Sequence, residues 1–429
     1  MKIYFSPPRD TWEELSLRPA LVTDEIEGTV KEIIDRVKSE GDKALFYFNK
    51  KYGGTVPATL KVDPSEILRS SESVPETLKE AVRLAKSNIE KFHSSQLINE
   101  RSVETVKGVR CWRKSVAIER VGLYIPGGTA PLFSTLLMLA VPAVIAGCNR
   151  IIVCTPPGKE GTVNPLILYI ASVCGITDIF AVGGAQAIAA MAYGTETIPR
   201  VYKIFGPGNQ YVTKAKELVQ SGGVAIDIPA GPSEVLVITD DTANPEFVAA
   251  DILSQAEHGS DSQVVMLTTS KKMIELVGNA VERQIKNLER KDLAQKSLEN
   301  SLMIQFGTVE ECIAFSNIYA PEHLIISTAE PQMEAEKVTS AGSVFLGKYS
   351  CESIGDYASG TNHTLPTNGY ARSYSGVSTD SFMKKITFQE ISAEGLLIIG
   401  PAVETMAEAE SLKGHKNAVT IRLNSLNND

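Results

Sequence analysis

The chain has 429 residues, which at roughly 150 residues per domain points to two or three domains with a sizeable buried core. A composition of 43% hydrophobic and 22% charged residues excludes broad disorder. The net charge of −9 is spread thinly and no Lys/Arg cluster exceeds a triplet, which argues against a nucleic-acid partner.

The first residues carry Pro7, Pro8 and acidic side chains where a signal peptide needs an apolar stretch. Apolar residues spaced three and four apart predict helices over 11–18, 26–39, 43–52 and 76–92, and Asp63-Pro64-Ser65 supplies a further helix start. From residue 116 the pattern changes. A strand over 116–124 turns at Pro126-Gly127-Gly128 into an uncharged run over 130–148, near membrane-spanning length. Pro131, Ser134, Thr135 and Pro142 interrupt this run and a strand follows at once, so it reads as a buried helix rather than a membrane span. Strands over 150–155, 178–182, 202–205 and 224–228 then alternate with helices over 165–173, 186–192 and 212–219. After a turn at 229–233 come strands over 234–239, 263–268, 302–305, 324–327 and 343–346, with helices over 245–258, 272–288, 309–319 and 332–339. A Gly-rich segment over 348–377 is of the kind that is functional or disordered. The end of the chain reads as a strand over 385–391, a helix near 403–413 and a final strand over 418–423.

Short apolar runs alternating with helices predict an α/β fold. The expected architecture is two tandem Rossmann-like, doubly wound parallel-sheet domains with a helical N-terminal region and a small C-terminal tail. The expected borders are 1–110 for the helical region, packed on the second α/β unit, and 111–232 for the first Rossmann-like domain. Residues 233–380 form the second, and 381–429 the tail, which packs on its own body or on a second subunit. The six cysteines include no CxxC pair, and several sit in apolar patterns. The expectation is a soluble protein of a reducing compartment, the cytoplasm.

Histidine is informative because there are only five. His93 ends a polar helix and reads as a surface residue, whereas His258, His323, His363 and His415 lie at element ends or in loops. Gln255 and His258 are about 60° apart on a helix and share a face. They fit a metal pair, with Asp356 and His415 completing a mixed N/O site suited to zinc or another first-row metal. They equally fit a cationic His at a helix C-terminus with Gly259 after it, and without other motifs the second reading is favoured. Glu322-His323 offers a carboxylate and an imidazole for general-base work, or a solvated turn pair. Three glycine turns, at Pro126-Gly127-Gly128, Gly183-Gly184 and Gly206-Pro207-Gly208, each follow a strand and open a helix. Backbone N–H groups meet phosphates at such places, though none of the three is GxGxxG and each also serves as a tight turn. Ser233 lacks the G-x-S-x-G context of a nucleophile and reads as a ligand-positioning hydroxyl.

Taken together, the segments VGLYIPGG (121–128), GGAQAIAA (183–190), FGPGN (205–209), IDIPAGPSE (226–234), SQAEHG (254–259), APEHL (320–324), AGSVFLG (341–347), GDYASGTNH (355–363) and GHKNAV (414–419) resemble the histidinol dehydrogenase family over essentially the whole chain. Thr239 departs from the Ala or Cys usual there, at a strand end away from the chemistry. The resemblance implies a homodimeric enzyme with one zinc ion per active site that oxidises L-histidinol to L-histidine with NAD. It implies Gln255, His258, Asp356 and His415 as zinc ligands, His323 as base for the alcohol and Glu322 as the activator of water. Tyr124, Gln186 and Asn209 match NAD positions. Ser233, His363 and Glu410 join the zinc ligands and His323 as substrate contacts, with Glu410 and His415 acting in the partner's site.

Overall fold

A computed structural model describes residues 1–18, 24–98, 100–127, 132–228 and 231–426; Gly128 of the first glycine turn and Pro229 and Ala230 of the second-set turn lie outside them. The chain forms two units. The first comprises Met1–Gln96 with Ile118–Phe382, and the second Leu97–Ala117 with Met383–Asp429.

The strands in chain order are β1 (Lys2–Phe5), β2 (Val103–Val106), β3 (Val109–Ala117), β4 (Arg120–Tyr124), β5 (Arg150–Thr155), β6 (Asp178–Ala181) and β7 (Lys203–Phe205). They continue with β8 (Ala225–Ile226), β9 (Glu234–Thr239), β10 (Gln263–Thr268), β11 (Leu302–Gln305), β12 (His323–Ser327), β13 (Ser343–Leu346) and β14 (Met383–Ile391). The first unit holds two all-parallel sheets, ordered β6-β5-β4-β7-β8 and β1-β11-β10-β9-β12-β13. This is the doubly wound α/β arrangement expected. Each sheet winds outward one way and then reverses, between β4 and β7 in the first and between β9 and β12 in the second. Every residue of β9 and β10 is buried, as befits central strands covered on both faces.

Local chemistry starts the helices. Asn164, Asn209 and Asn244 each accept backbone N–H bonds of the helix that follows, and Pro165 and Pro245 occupy the first helical turn. Such a cap contributes about 1 kcal/mol. The apolar helix Phe133–Ala146 is buried along most of its length. Among the described residues no helix is long and apolar enough to cross a membrane.

Several expectations change. The strand expected over 116–124 is two strands in different sheets. β3 pairs antiparallel with β14 from Met383↔Ala117 to Ile391↔Val109, and residues 97–117 therefore belong with the tail rather than with the N-terminal helices. The 1–110 region does not pack on the second sheet as a block. β1 adds to that sheet and Trp12 packs edge-to-face against Phe306 and Phe315, but the helices Asp24–Glu40 and Asp42–Gly53 share a core with Ile188, Ile204 and Val212 of the first sheet's layer. The strand expected over 418–423 is part of the helix Lys413–Leu426. Its β-branched residues are overridden by packing against the helix Ala393–Ala409, where a Cβ on Gly400 would lie 2.9 Å from the Leu423 side chain. His93 is fully buried, not a surface residue. Its Nδ1 lies 3.1 Å from Gln96 Oε1, and its backbone carbonyl accepts from the Thr379 hydroxyl.

The glycine turn after β7 is held from below. Lys216 and Asp227 form an ion pair with both side chains almost wholly buried. Lys216 Nζ donates to Gly206 O at 3.0 Å and Ile228 O at 3.3 Å, while Asp227 accepts from Gly206 N at 2.7 Å. Gly206 has φ +124° and a Cβ there would fall 2.1 Å from Tyr124 O, so only glycine fits. Removing one partner of such a pair strands a buried charge, so Lys216→Met should destabilise the fold by about 3–5 kcal/mol, read by denaturant unfolding.

Candidate metal and acid–base site

The helix Pro245–Ala256 follows β9 and brings Gln255, 1% exposed, into its last turn. His258 lies just beyond the helix end, its N–H bonded to Gln255 O at 3.2 Å. Gly259 is not among the residues with positive φ, so the expected left-handed glycine cap is absent. His258 keeps solvent access, yet desolvation by its surroundings holds its imidazole below the ordinary value. A neutral imidazole is a metal donor and not a helix-capping cation.

Asp356 stands on the short helix Glu352–Tyr357. Glu352 lies one turn before it, 1% exposed. Ligand atoms of His258, Glu352 and Asp356 all lie within 4.8 Å of one another. In the orientation that satisfies both groups, the Gln255 amide nitrogen donates to both Glu352 oxygens at 2.9 Å, which turns its carbonyl oxygen the other way. Burial pushes the Glu352 carboxyl up to about 8, with His323 opposing. Imidazole, amide oxygen and carboxylates form a mixed N/O donor set, which suits zinc or another first-row divalent ion. A cation there would offset the carboxylate charge that burial disfavours, so the residues present fit a metal.

Glu322 and His323 arrive at the same place from β12. The helix Val309–Tyr319 ends at Ala320, which takes φ +54° although it is not glycine, and Pro321 prevents the helix from continuing. β12 then pairs with β9 in the register His323↔Val235. This sets both side chains against the backbone of Glu234: its N–H donates to Glu322 Oε2 at 2.9 Å, and its carbonyl lies 3.0 Å from His323 Nδ1. A carbonyl can only accept, so Nδ1 carries the proton and Nε2 is the lone-pair nitrogen of the neutral ring. That Nε2 is buried and, among the described residues, has no hydrogen-bond partner; it lies 3.4 Å from Asp356 Oδ1. Burial raises the Glu322 carboxyl to about 8. Burial also opposes charge on His323, but Glu322, Glu352 and Asp356 outweigh it and raise the imidazole to about 10. The pair sits far from the solvated turn that two residues alone would favour.

His363 Nδ1 lies 3.0 Å from Asp356 O, and burial holds this imidazole below its ordinary value. Ser233 immediately precedes β9. The first unit thus gathers Gln255, His258, Glu322, His323, Asp356 and His363. Glu410 and His415 belong to the second unit, at the end of the helix Ala393–Ala409 and on the helix Lys413–Leu426, both exposed. Sequence reasoning missed Glu352 and Glu234. The four-residue spacing of Glu352 and Asp356 on one helix face was a signal for the first; Glu234 acts through its backbone, which no residue type announces.

At the reversal point of the other sheet, a cavity of about 830 Å³ opens at the carboxyl ends of β4 and β5. Tyr124, Gln186 and Asn209, the three residues expected at a nucleotide, all line it, and among the described residues no Lys or Arg does. The Tyr124 hydroxyl accepts from Gly184 N at 3.0 Å, and burial raises it to about 12.

A model of the family described as histidinol dehydrogenase matches residues 16–423. The histidinol dehydrogenase of Bacteroides thetaiotaomicron is 57% identical over 426 residues, covering 99% of this chain and 100% of that one. That of Escherichia coli K12 is 51% identical over 416 residues, covering 96% and 95%. The crystal structure of histidinol dehydrogenase from Elizabethkingia anophelis superposes with a TM-score of 0.98 at 55% identity, over 100% of this chain and 99% of that one. Agreement in sequence and in fold over nearly the full length leaves one assignment: the chain belongs to the histidinol dehydrogenase family.

Proposed function

We propose that this chain carries out the zinc-dependent, four-electron oxidation of L-histidinol to L-histidine through L-histidinaldehyde, reducing two NAD, as the final steps of histidine biosynthesis in the cytoplasm. The observation that carries the reading is the buried, unpartnered Nε2 of His323 beside the donors of His258, Glu352 and Asp356. Gln255, His258, Asp356 and His415 would hold one zinc ion. When bound, zinc offsets the local carboxylate charge, lowers the proton affinity of His323 and orients the imidazole and amine of the substrate.

The chain's own groups divide the chemistry. His323 accepts the hydroxyl proton at Nε2 while hydride leaves the carbinol carbon for NAD, giving the aldehyde. Glu322 takes a proton from the water that adds to that aldehyde, and a second hydride departs to give the carboxylate. With one water and two NAD consumed, the products are the acid, two NADH and protons. Ser233, His363 and Glu410 contact substrate together with Gln255, His258, His323, Asp356 and His415, and the Glu410 carboxylate suits the substrate ammonium. Tyr124, Gln186 and Asn209 line the NAD cleft, where the N-terminus of the helix Gly184–Tyr193 meets the pyrophosphate in place of a cationic side chain.

The chain works as a homodimer in which Glu410 and His415 complete the partner's site. Support comes from the second unit, whose described residues leave Leu397, Ile398, Met406, Leu412 and Ile421 exposed, more apolar surface than an isolated unit favours. A shared site also shields the aldehyde between its two oxidations.

Purified protein with L-histidinol and NAD should generate NADH, followed by absorbance, and lose that activity after chelation; no NADH from the metal-loaded protein would reject the reading. His323→Ala should lower turnover by roughly 10²–10⁴-fold with zinc content unchanged, and retained turnover would remove His323 as the base. His415→Ala should release zinc on dialysis; metal content equal to that of the parent protein would contradict its role as a ligand.

A further inference from the structure

The acid–base pair is held by Glu234, and Glu234 is in turn gripped by a residue from the start of the chain. Arg18 makes a two-pronged contact with the Glu234 carboxylate, Nε to Oε1 at 2.9 Å and Nη2 to Oε2 at 2.8 Å, across 216 positions of sequence. The two side chains are 12% and 2% exposed. The same guanidinium lies 3.6 Å over the Tyr319 ring and donates through Nη1 to Tyr319 O at 2.7 Å. Asn368 N donates to Glu234 Oε1 at 2.9 Å, so the carboxylate is fixed from two sides.

Arg18 therefore touches both chain segments that build the pair. One is the first residue of β9, whose N–H and C=O orient Glu322 and His323. The other is the Tyr319–Ala320 turn that delivers Glu322 into β12. Planar, bidentate guanidinium contact fixes direction as well as distance, which a lysine cannot reproduce. We propose that Arg18 is a positioning residue for both oxidations: through Glu234 and the Tyr319–Ala320 turn it holds His323 and Glu322 in register with each other. Without it, the Glu234 carboxylate is left buried and unpaired beside Glu322, and the amide and carbonyl that hold the pair lose their anchor. Displacements on the order of 1 Å at reacting groups cost about 10²-fold in rate.

The inference rests on the proposed function, so the experiment has an arm that does not. Arg18→Met should lower kcat by about 10²-fold with histidinol and with histidinaldehyde alike, leaving KM for NAD within about twofold and zinc content unchanged. Arg18→Lys, which keeps charge but not the fork, should fall between the two proteins with little change in Tm. In the parent protein labelled with [15N]histidine, the His323 Nδ1–H should exchange slowly, assigned by its loss in His323→Gln; in the Arg18 variants it should exchange fast. A lowered Tm with unchanged kcat and an unchanged Nδ1–H would overturn the proposal, leaving Arg18 only a stabilising residue. If Arg18→Met does not fold, parental kcat and slow exchange in Arg18→Lys would overturn it equally. If the parent protein turns over no histidinol, the proposed function fails, and the exchange measurement still decides the positioning.

Discussion

The parallel pairing of β9 with β12 is the constraint from which the site follows. In the register His323↔Val235, the residue before the first pair on each strand, Glu234 on one and Glu322 on the other, comes within hydrogen-bonding reach. One amide and one carbonyl then orient a carboxylate and an imidazole at once. Backbone groups make exact positioning cheap here, because the ladder that fixes them is already buried and cooperative. A slip of one residue would turn His323 to the opposite face of the sheet.

The two sheets of the first unit use opposite ends. The cavity lined by Tyr124, Gln186 and Asn209 opens where parallel α/β sheets usually bind ligands, beyond the carboxyl ends of strands at a reversal of winding order. The donor and acid–base residues instead surround the amino ends of β9 and β12, where the helix after β9 delivers Gln255 and His258. Helix C-termini gather at that end, and their partial negative charge favours a cation. The division is electrostatically consistent: helix N-termini suit an anionic ligand, helix C-termini and carboxylates a cation.

Charge balance shapes the second site. Glu234, Glu322 and Glu352 are all buried, with Asp356 beside them; Arg18 pairs with Glu234, while His323 lies beside Glu322 and Asp356. Burial raises both Glu322 and Glu352 toward neutrality, whereas the imidazole of His323 gains proton affinity from the carboxylates around it. Perturbed carboxyl and imidazole groups clustered in this way are characteristic of functional sites.

Much of this architecture could be read along the chain. Alternating apolar runs, the Asp63-Pro64-Ser65 helix start and the glycine turns act within one strand or one helical turn, so their meaning survives without a three-dimensional context. The helix that carries Gln255 was equally local, although it ends at Ala256, before His258. The motifs supplied the family, and with it the expectation that Glu322, His323 and Asp356 meet. Other features were set only in the folded chain: the withdrawal of residues 97–117 to pair with β14, the burial of His93, the role of Glu352, and the grip of Arg18 on Glu234. Each depends on contact between segments far apart in sequence, where burial, not residue type, gives a carboxylate or an imidazole its properties. Periodicity carries no record of such pairings, because the free energy that selects them comes from surfaces that exist only after the strands have packed.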